Sequence, residues 1–242
     1  MTGFAGRTFL VSGAGSGIGR VAARLLADRG AALVLVGRRP EALRETLPEA
    51  LHAPFDHADE AAVAAFAERC PRLDGMLLAA GELLTGSVEG SPVATFDRMI
   101  RSNLRGPWLL CNQLGPRLKD GGSVVLVGSN IALRAIPDSA AYSVAKAGLH
   151  MLARVLALEW APRRIRCNAL APGPVHTAMV DARLRAGADP EGDLQRLARV
   201  NPLGRLGEAR EVALLAAHLL GDDSGWTSGA VIPIDGGASA VY

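Results

Sequence analysis

The sequence has 242 residues, which is enough for one large or two small domains, and 49% of them are hydrophobic while only 4% are aromatic. We therefore expect a substantial core built mainly from Ala, Val and Leu. A formal net charge of +2 predicts neither a nucleic acid nor an acidic surface as partner. Three widely spaced cysteines indicate reduced thiols in a cytoplasmic protein, and no apolar run is long enough to span a membrane.

Short apolar runs that predict strands alternate with segments of helical periodicity along the whole chain. The predicted strands are 8–11, 32–36, 51–55, 75–81 with its turn, 123–127, 165–170 and 231–234. The predicted helices are 20–29, 40–47, 59–69, 96–118, 140–160 and 208–219, with two short mobile helices within 178–200. This alternation predicts an α/β fold, a doubly wound parallel sheet of about seven strands with helices on both faces. No linker or internal repeat divides the chain, so we expect residues 1–242 to form a single domain.

A glycine-rich loop follows the first predicted strand and precedes the first predicted helix. Gly13, Gly17 and Gly19 have the spacing G-x-x-x-G-x-G and not the strict G-x-G-x-x-G. Strand, glycine loop and helix together form the usual setting for a dinucleotide phosphate at a helix N-terminus. Glycine suits this role because it lets the backbone approach a pyrophosphate closely. The alternative is a tight turn without a ligand, and the missing G-K-[ST] excludes a P-loop NTPase.

The end of the second predicted strand indicates which dinucleotide would bind. An NAD site usually has an acid here that holds the ribose 2′-OH, whereas this chain has Gly37, Arg38 and Arg39. Arg38 can offer a charge-assisted fork to a 2′-phosphate, which predicts NADP(H) in preference to NAD(H). Alternatively, Arg38 stacks on adenine and both cofactors work. After the third strand, Asp56 either holds the adenine edge or caps a helix, and the sequence does not separate these two roles.

The pair Tyr142 and Lys146 lies one helical turn apart in the predicted helix 140–160. Only two of the 26 Lys and Arg residues are lysine, so a lysine at this position is unexpected by chance. A nearby ammonium is expected to lower the pKa of the phenol, which would then exchange a proton with an alcohol or ketone oxygen. Ser129, after the fifth strand, is expected to hold the same oxygen. Taken alone, the pattern is better explained by an exposed Tyr and Lys on a helix surface, with Ser129 as a helix or turn cap.

With these pieces in order, the sequence resembles the short-chain dehydrogenase/reductase family over essentially its full length, in particular its members similar to 3-oxoacyl-acyl carrier protein reductases. The matching positions are Gly13/Gly17/Gly19, Asn103, Ser129, Tyr142 with Lys146, Pro172-Gly173 with Thr177, residues 201–205, and Gly229 with residues 235–237. The resemblance implies a Rossmann-type sheet and hydride transfer between a nicotinamide cofactor and a ketone or secondary alcohol. It also implies a homotetramer, with the apolar helices around Trp108 and at 140–160 paired between subunits.

The resemblance assigns roles residue by residue. Tyr142 resembles the acid/base, Ser129 the partner of the substrate oxygen, Lys146 the ligand of the nicotinamide ribose, and Asn103 the anchor of a proton-relay water. From its sequence alone, Asn103 could instead bond a neighbouring backbone group. The cofactor-binding residues implied are Gly13, Ser16, Gly17, Ile18, Gly19, Arg38, Asp56, Ala80, Gly81, Tyr142, Lys146, Pro172, Gly173, Val175 and Thr177.

The substrate side is expected to involve Ser129, Tyr142, an apolar wall that includes Ile131 and Ile136, and His176, although His176 equally fits a solvated loop. Residues 178–200 are expected to form a lid over the substrate. The family's Asn-Asn-Ala-Gly turn is Leu78-Ala79-Ala80-Gly81 here, so two side-chain amides are missing.

The sequence also bears on two other classes of protein and on a metal site. The spacing of the five histidines predicts no metal site. A serine hydrolase is excluded because residues 128–130 do not form a G-x-S-x-G elbow. A cofactor-binding regulator or structural protein of the same fold is the alternative to an enzyme.

Overall fold

A computed structural model of the chain describes residues 3–185, 187 and 189–240, apart from the side chain of residue 183. The strands are β1 (Thr8–Ser12), β2 (Ala32–Gly37), β3 (Leu51–Pro54), β4 (Leu73–Leu78), β5 (Leu118–Val127), β6 (Arg166–Pro172), β7 (Val175–His176), β8 (Gly207–Glu208) and β9 (Val231–Ile234). The helices are α1 (Gly17–Ala27), α2 (Pro40–Thr46), α3 (Glu60–Arg69), α4 (Val93–Ile100), α5 (Gly106–Leu114), α6 (Ala140–Glu159), α7 (Ala178–Arg185), α8 (Pro190–Arg199) and α9 (Ala209–Leu220).

Seven strands form one parallel sheet in the order β3-β2-β1-β4-β5-β6-β9, and the short strands β7 and β8 pair separately. The predicted α/β fold with its doubly wound parallel sheet is therefore confirmed. The order reverses between β1 and β4, because β2 and β3 extend to one side and β4, β5 and β6 to the other. In open parallel sheets a ligand crevice lies at the carboxyl ends of the strands at such a reversal. The glycine loop after β1 and the turn after β4 are at this position.

Helices cover both faces of the sheet, and alternation along each strand sends neighbouring side chains to opposite faces. Leu10 joins a core with α3, α5 and α6, while Phe9 and Val11 join a second core with α1 and α9. Both cores consist mainly of Ala, Val and Leu with few aromatic rings, as the composition predicts. Cys70, Cys111 and Cys167 are buried as free thiols. None of the helices within the described residues has the length and apolarity needed to cross a membrane.

The predicted single helix 96–118 is wrong in its details. Helix α4 begins at Val93, a π turn (Arg101–Arg105) connects it to α5, and a 3₁₀ turn (Gly115–Arg117) leads into β5, which begins already at Leu118. Proline and glycine at the ends of α5 explain why the α-helix does not continue as far as the apolar pattern does. The π turn widens the helix where Asn103 lies, and such turns are frequent at functional sites.

Candidate active site

The glycine loop brings the backbone of two strands into close contact. Gly13 has a φ of +70°, and a Cβ there would lie 2.8 Å from Ala80 Cα. A Cβ on Gly19 would lie 2.4 Å from the carbonyl oxygen of Gly13. Ser16 is the N-cap of α1 but makes no side-chain cap hydrogen bond, and the first turn of α1 contains no acid. The N-terminus of α1 therefore keeps backbone donors and its positive dipole end for an anionic group, which fits the pyrophosphate of a dinucleotide.

The turn after β4 is held without the two asparagine amides that the resemblance would place there. Leu78 is buried in the core, so it packs with apolar side chains and does not face a ligand. The Ser12 hydroxyl accepts a hydrogen bond from the Ala80 N–H at 3.2 Å, and the Ala79 N–H donates to the Ser12 carbonyl at 3.3 Å. The Ser12 side chain thus holds the turn that contacts the glycine loop.

One end of the crevice is a cleft of about 140 Å³ that is rich in charged side chains, with Gly13, Ser16, Arg38, Asp56, Ala80, Gly81 and Glu82 among its lining. Arg38 Nη1 lies 3.7 Å from Glu82 Oε1 across this cleft. Arg98 approaches the other oxygen of Glu82, with Nε at 2.8 Å and Nη2 at 2.5 Å. Sequence reasoning missed Glu82, although an acid directly after the Ala80-Gly81 turn was a visible signal.

The helix-cap interpretation of Asp56 is wrong, because Asp59 caps α3 by accepting from the Ala62 N–H at 3.1 Å. Asp56 lines the same cleft as Arg38, accepts from the Ala58 N–H at 3.0 Å and pairs with Arg101 at 2.8 Å. Burial acts to raise the pKa of Asp56, but these two hydrogen bonds and the nearby charges of Arg101 and His57 together lower it. Asp56 is therefore a carboxylate facing the cleft, where an adenine edge remains its predicted partner.

The other end of the crevice is a larger cleft of about 320 Å³, into which β5, the following turn and α6 bring Ser129, Tyr142 and Lys146. Lys146 is only 4% exposed, and its Nζ donates to the Val127 carbonyl at 2.8 Å. The same Nζ lies 5.6 Å from the centroid of the Tyr142 ring. The three residues singled out from the sequence thus share one cleft, and Lys146 is not on the helix surface.

Burial shifts the pKa values of both partners in the Tyr142–Lys146 pair. It raises the pKa of Tyr142 to about 12, while a hydrogen bond with Ser129 acts in the opposite direction. It lowers the pKa of Lys146 to about 8. The expectation that the pKa of Tyr142 is lowered is therefore wrong, because the loss of solvent on burial outweighs the hydrogen bond with Ser129. At neutral pH the phenol is protonated and the amine is mostly charged.

Asn103 holds the turn after β4 from its position in the π turn. Its Nδ2 donates to the Glu82 carbonyl at 3.0 Å and to the Met99 carbonyl at 3.2 Å, and its Oδ1 accepts from the Glu82 N–H at 3.2 Å. A Cβ on Gly81 would lie 2.6 Å from Asn103 Oδ1 and 3.5 Å from Lys146 Nζ. The structure therefore shows the bonding to backbone that the sequence left as one alternative. The role as a water anchor stays a prediction.

The end of β6 and the segment after it also line the larger cleft, through Pro172, Gly173, Val175 and Thr177. The Thr177 hydroxyl donates to the Val175 carbonyl at 3.3 Å, and a Cβ on Gly17 would lie 3.5 Å from Thr177 Cγ2. His176 lies outside the lining, is exposed, and has its Nε2 3.2 Å from Asp181 Oδ1. This geometry favours the solvated-loop alternative for His176 over contact with substrate.

Several residues of the larger cleft were not singled out from the sequence. Helices α7 and α8 contribute apolar side chains to the lining, so the predicted lid segment does border the cleft, although its closure stays a prediction. Ala186 and Ala188, which belong to that segment, lie outside the described residues. The predicted substrate residues Ile131 and Ile136 also line the cleft, as does Arg134, whose charge the sequence analysis did not consider.

His150 is a further residue that the sequence analysis missed. Its Nε2 accepts a hydrogen bond from the Ser129 N–H at 3.4 Å, and a Cβ on Gly128 would lie 2.0 Å from the same nitrogen. Burial lowers the pKa of His150 to about 4, so the ring is neutral and able to accept. The ring therefore supports the backbone of Ser129 from one turn beyond Lys146.

Comparison with known proteins identifies the family of the chain. A family model described as enoyl-(acyl carrier protein) reductase matches residues 13–239. Levodione reductase of Leifsonia aquatica is 38% identical over 100% of this chain and 97% of its own length. The chain belongs to the short-chain dehydrogenase/reductase family. A second relative in this family, 2-(R)-hydroxypropyl-CoM dehydrogenase of Xanthobacter autotrophicus, is 35% identical over 97% of this chain and 99% of its own length.

The fold of this short-chain dehydrogenase/reductase is likewise shared with solved structures. The crystal structure of levodione reductase superposes with a TM-score of 0.91 at 37% identity, covering 99% of this chain and 100% of that one. A short-chain dehydrogenase from Francisella tularensis gives 0.91 at 26% identity, covering 97% and 99%. The protein is therefore an oxidoreductase, and its family implies a nicotinamide cofactor.

Among the described residues no group of three or more His, Cys, Asp or Glu side chains could hold a metal ion.

The buried amine of Lys146 generates a prediction about stability. The unfolded chain holds the Lys146 proton up to its ordinary pKa, whereas the folded chain releases it at about 8. Stability rises with pH wherever the unfolded state binds more protons. We therefore expect the free energy of unfolding of the wild type to rise by about 2–3 kcal/mol between pH 7 and 10 relative to that of Lys146→Met.

Urea unfolding at pH 7, 8, 9 and 10 measures this difference directly. Lys119→Met is the control, because Lys119 is half-exposed in an ion pair with Asp74 and has no comparable burial. Parallel profiles for wild type and Lys146→Met would contradict the account of Lys146 as a buried cation.

Proposed function

We propose that the protein interconverts a ketone and its secondary alcohol by hydride transfer with a nicotinamide cofactor, with Tyr142 as the acid/base. The observation that carries this proposal is the shared cleft of Ser129, Tyr142 and Lys146, which opens toward the glycine loop. The relatives named as a reductase and a dehydrogenase support the same class of reaction.

The residues that would hold the cofactor follow the crevice from end to end. The glycine loop and the N-terminus of α1 would bind the pyrophosphate, with Arg38 beside the adenosine ribose. Lys146 would bind the nicotinamide ribose, and Thr177 the nicotinamide end. When bound in its reduced form, the nicotinamide supplies a hydride, with its electron pair, to the carbonyl carbon.

The chain's own residues supply the proton and the binding of the oxygen. Tyr142 donates its phenolic proton to the carbonyl oxygen as the alcohol forms, and the Ser129 hydroxyl donates a hydrogen bond to the same oxygen. A pKa of about 12 keeps Tyr142 protonated at neutral pH, which suits the reducing direction. The charged Lys146 stabilises the phenolate that remains and helps it regain a proton.

Tyr142→Phe tests the assignment of the acid/base. The substitution keeps the ring and removes the proton, so we expect kcat to fall by about 10²-fold or more with little change in cofactor binding. Initial rates with a ketone panel and NADPH fluorescence titration measure the two quantities. Ser143→Ala is the matched control, because it removes from the same helix a buried hydroxyl that has no hydrogen-bond partner in the structure. Near wild-type turnover of Tyr142→Phe would overturn the assignment.

For cofactor choice, we propose that NADP(H) is preferred and that Arg38 binds its 2′-phosphate. Gly37 places no acid at this position, and Arg38 lines the cleft with its side chain 66% exposed. Glu82 modifies this proposal, since its carboxylate already attracts Arg38 from 3.7 Å. A bound 2′-phosphate would compete with Glu82 for the same guanidinium and would be repelled by the carboxylate.

The ratio of kcat/KM for NADPH to that for NADH tests this proposal. A hydrogen bond to a charged group contributes roughly 1.5–3 kcal/mol, so Arg38→Ala should lower the ratio by about 10- to 150-fold. Glu82→Gln should raise the ratio, because it frees Arg38 and removes the repulsion. Arg44→Ala, a change of equal charge at an exposed residue of α2, is the control. A wild type that prefers NADH, or a ratio that does not change in Arg38→Ala, would show that Arg38 does not select the cofactor.

We also propose that the protein is a homotetramer in which α5 and α6 pack against the same helices of other subunits. These helices carry large apolar side chains that one chain leaves exposed, including Trp108 at 54%, Met151 at 53% and Leu158 at 78%. Light scattering should give four times the chain mass, and Leu158→Glu should give a smaller species. Val88→Glu, an exposed apolar position outside both helices, is the control. A monomeric wild type at micromolar concentration would contradict the proposal.

A further inference from the structure

The larger cleft contains a guanidinium that the proposed hydride transfer does not use. Arg134 follows the 3₁₀ turn (Asn130–Ala132) that Ser129 caps, and it lines the cleft together with Tyr142. Its Nε is buried and has no hydrogen-bond partner among the residues that the structure describes. None of the ion pairs among the described residues includes Arg134.

Buried donors in folded proteins nearly always have a partner, so this donor calls for an explanation. Among the described residues, Arg20 also has a buried Nε without a partner, but its Nη2 donates to the Gly15 carbonyl at 2.6 Å. The guanidinium of Arg38, in the smaller cleft, faces the carboxylate of Glu82. Arg134 differs from both, because no hydrogen bond or ion pair joins its side chain to another of the described residues.

The surroundings of Arg134 are mostly apolar. Leu83, Ile136, Met179, Val180, Leu197 and Val200 line the same cleft. Few water molecules can screen a charge between such side chains, so an oppositely charged group would be attracted more strongly here than at the surface. The acid in the cleft lining, Glu82, is already paired with Arg98 at 2.5 Å.

We propose that Arg134 binds an oxyanion of the substrate, so that the enzyme acts on oxo-acids in which an apolar chain joins the ketone to a carboxylate or another anionic group. The guanidinium presents parallel N–H donors that match the two oxygens of a carboxylate. The ketone would lie at Tyr142 and the anion at Arg134, with the chain between them against the apolar wall. This inference rests on the proposed carbonyl reduction and names its class of substrate.

A matched substrate series tests the proposal. Oxo-carboxylates of increasing chain length are compared with their methyl esters at saturating cofactor, in wild type, Arg134→Gln and Arg199→Gln. Arg199 is exposed on α8 and is not in the cleft lining, so its substitution removes the same charge without the proposed contact. Oxo-phosphonates and oxo-sulfonates of the same lengths distinguish a carboxylate from the other oxyanions.

We expect the wild type to prefer an acid over its ester, and Arg134→Gln to lower kcat/KM for that acid by roughly 10- to 150-fold. The values for the ester, and the KM for the cofactor, should stay unchanged in Arg134→Gln, and Arg199→Gln should behave as wild type. The proposal is overturned if acid and ester lose activity equally, if the KM for the cofactor rises instead, or if the wild type shows no preference for any anion.

A binding experiment separates failure of this inference from failure of the proposed reaction. If the wild type reduces no ketone, the proposed function fails, and Arg134 is then tested with non-reducible alkanoates from butanoate to decanoate by calorimetry. Tighter binding of an alkanoate to wild type than to Arg134→Gln would support the anion site independently of catalysis. Equal affinity of the two proteins across the series would overturn it.

Discussion

The constraint on which the site depends is the burial of one ammonium group. Lys146 is 4% exposed, and its Nζ donates a hydrogen bond to the Val127 carbonyl at the end of β5. Burying a charge is costly, and the lowering of its pKa to about 8 reflects that cost. The cost is tolerated because α6 packs tightly on the sheet and fixes Lys146 beneath the ring of Tyr142. The other residues of the site are arranged around the pair of Tyr142 and Lys146.

Three such features converge on the pair from different parts of the chain. The π turn places Asn103 so that it holds the backbone of Glu82, beside Lys146. His150 supports the Ser129 backbone from the same helix as Lys146. The reversal of strand order between β1 and β4 opens the crevice in which the glycine loop can approach this group. The fold thus brings residues that are distant in sequence together along one crevice, which has a charged end and a mostly apolar end.

The sequence predicted those parts of the structure that follow from local pattern. The alternation of apolar runs with helical segments predicted the parallel sheet. The glycine spacing predicted the position of the loop, because a Cβ at Gly13 or Gly19 would clash with the backbone. Periodicity could not reveal the π turn, since an apolar pattern continues through a widened turn without interruption. It also could not give the direction of the Tyr142 pKa, which depends on how much solvent the fold removes.

Contacts between residues far apart in the chain could not be predicted from local sequence patterns either. Packing between separate segments sets three such arrangements: Glu82 faces Arg38, His150 supports Ser129, and Arg134 Nε is left without a hydrogen-bond partner among the described residues. The charged residue types were visible in the sequence, but which of them pair with each other was not. For His176 the sequence left two interpretations open, and its contact with Asp181 outside the cleft lining favours the solvated one.

The most direct test of the account is to follow the hydride itself. Reduced cofactor carrying deuterium at C4 of the nicotinamide, prepared separately as each stereoisomer, is incubated with the protein and a ketone panel, and the alcohol is analysed by mass spectrometry and NMR. The account predicts deuterium on the carbinol carbon from one of the two stereoisomers. Alcohol formed without deuterium from either isomer, or no alcohol from any ketone, would contradict it.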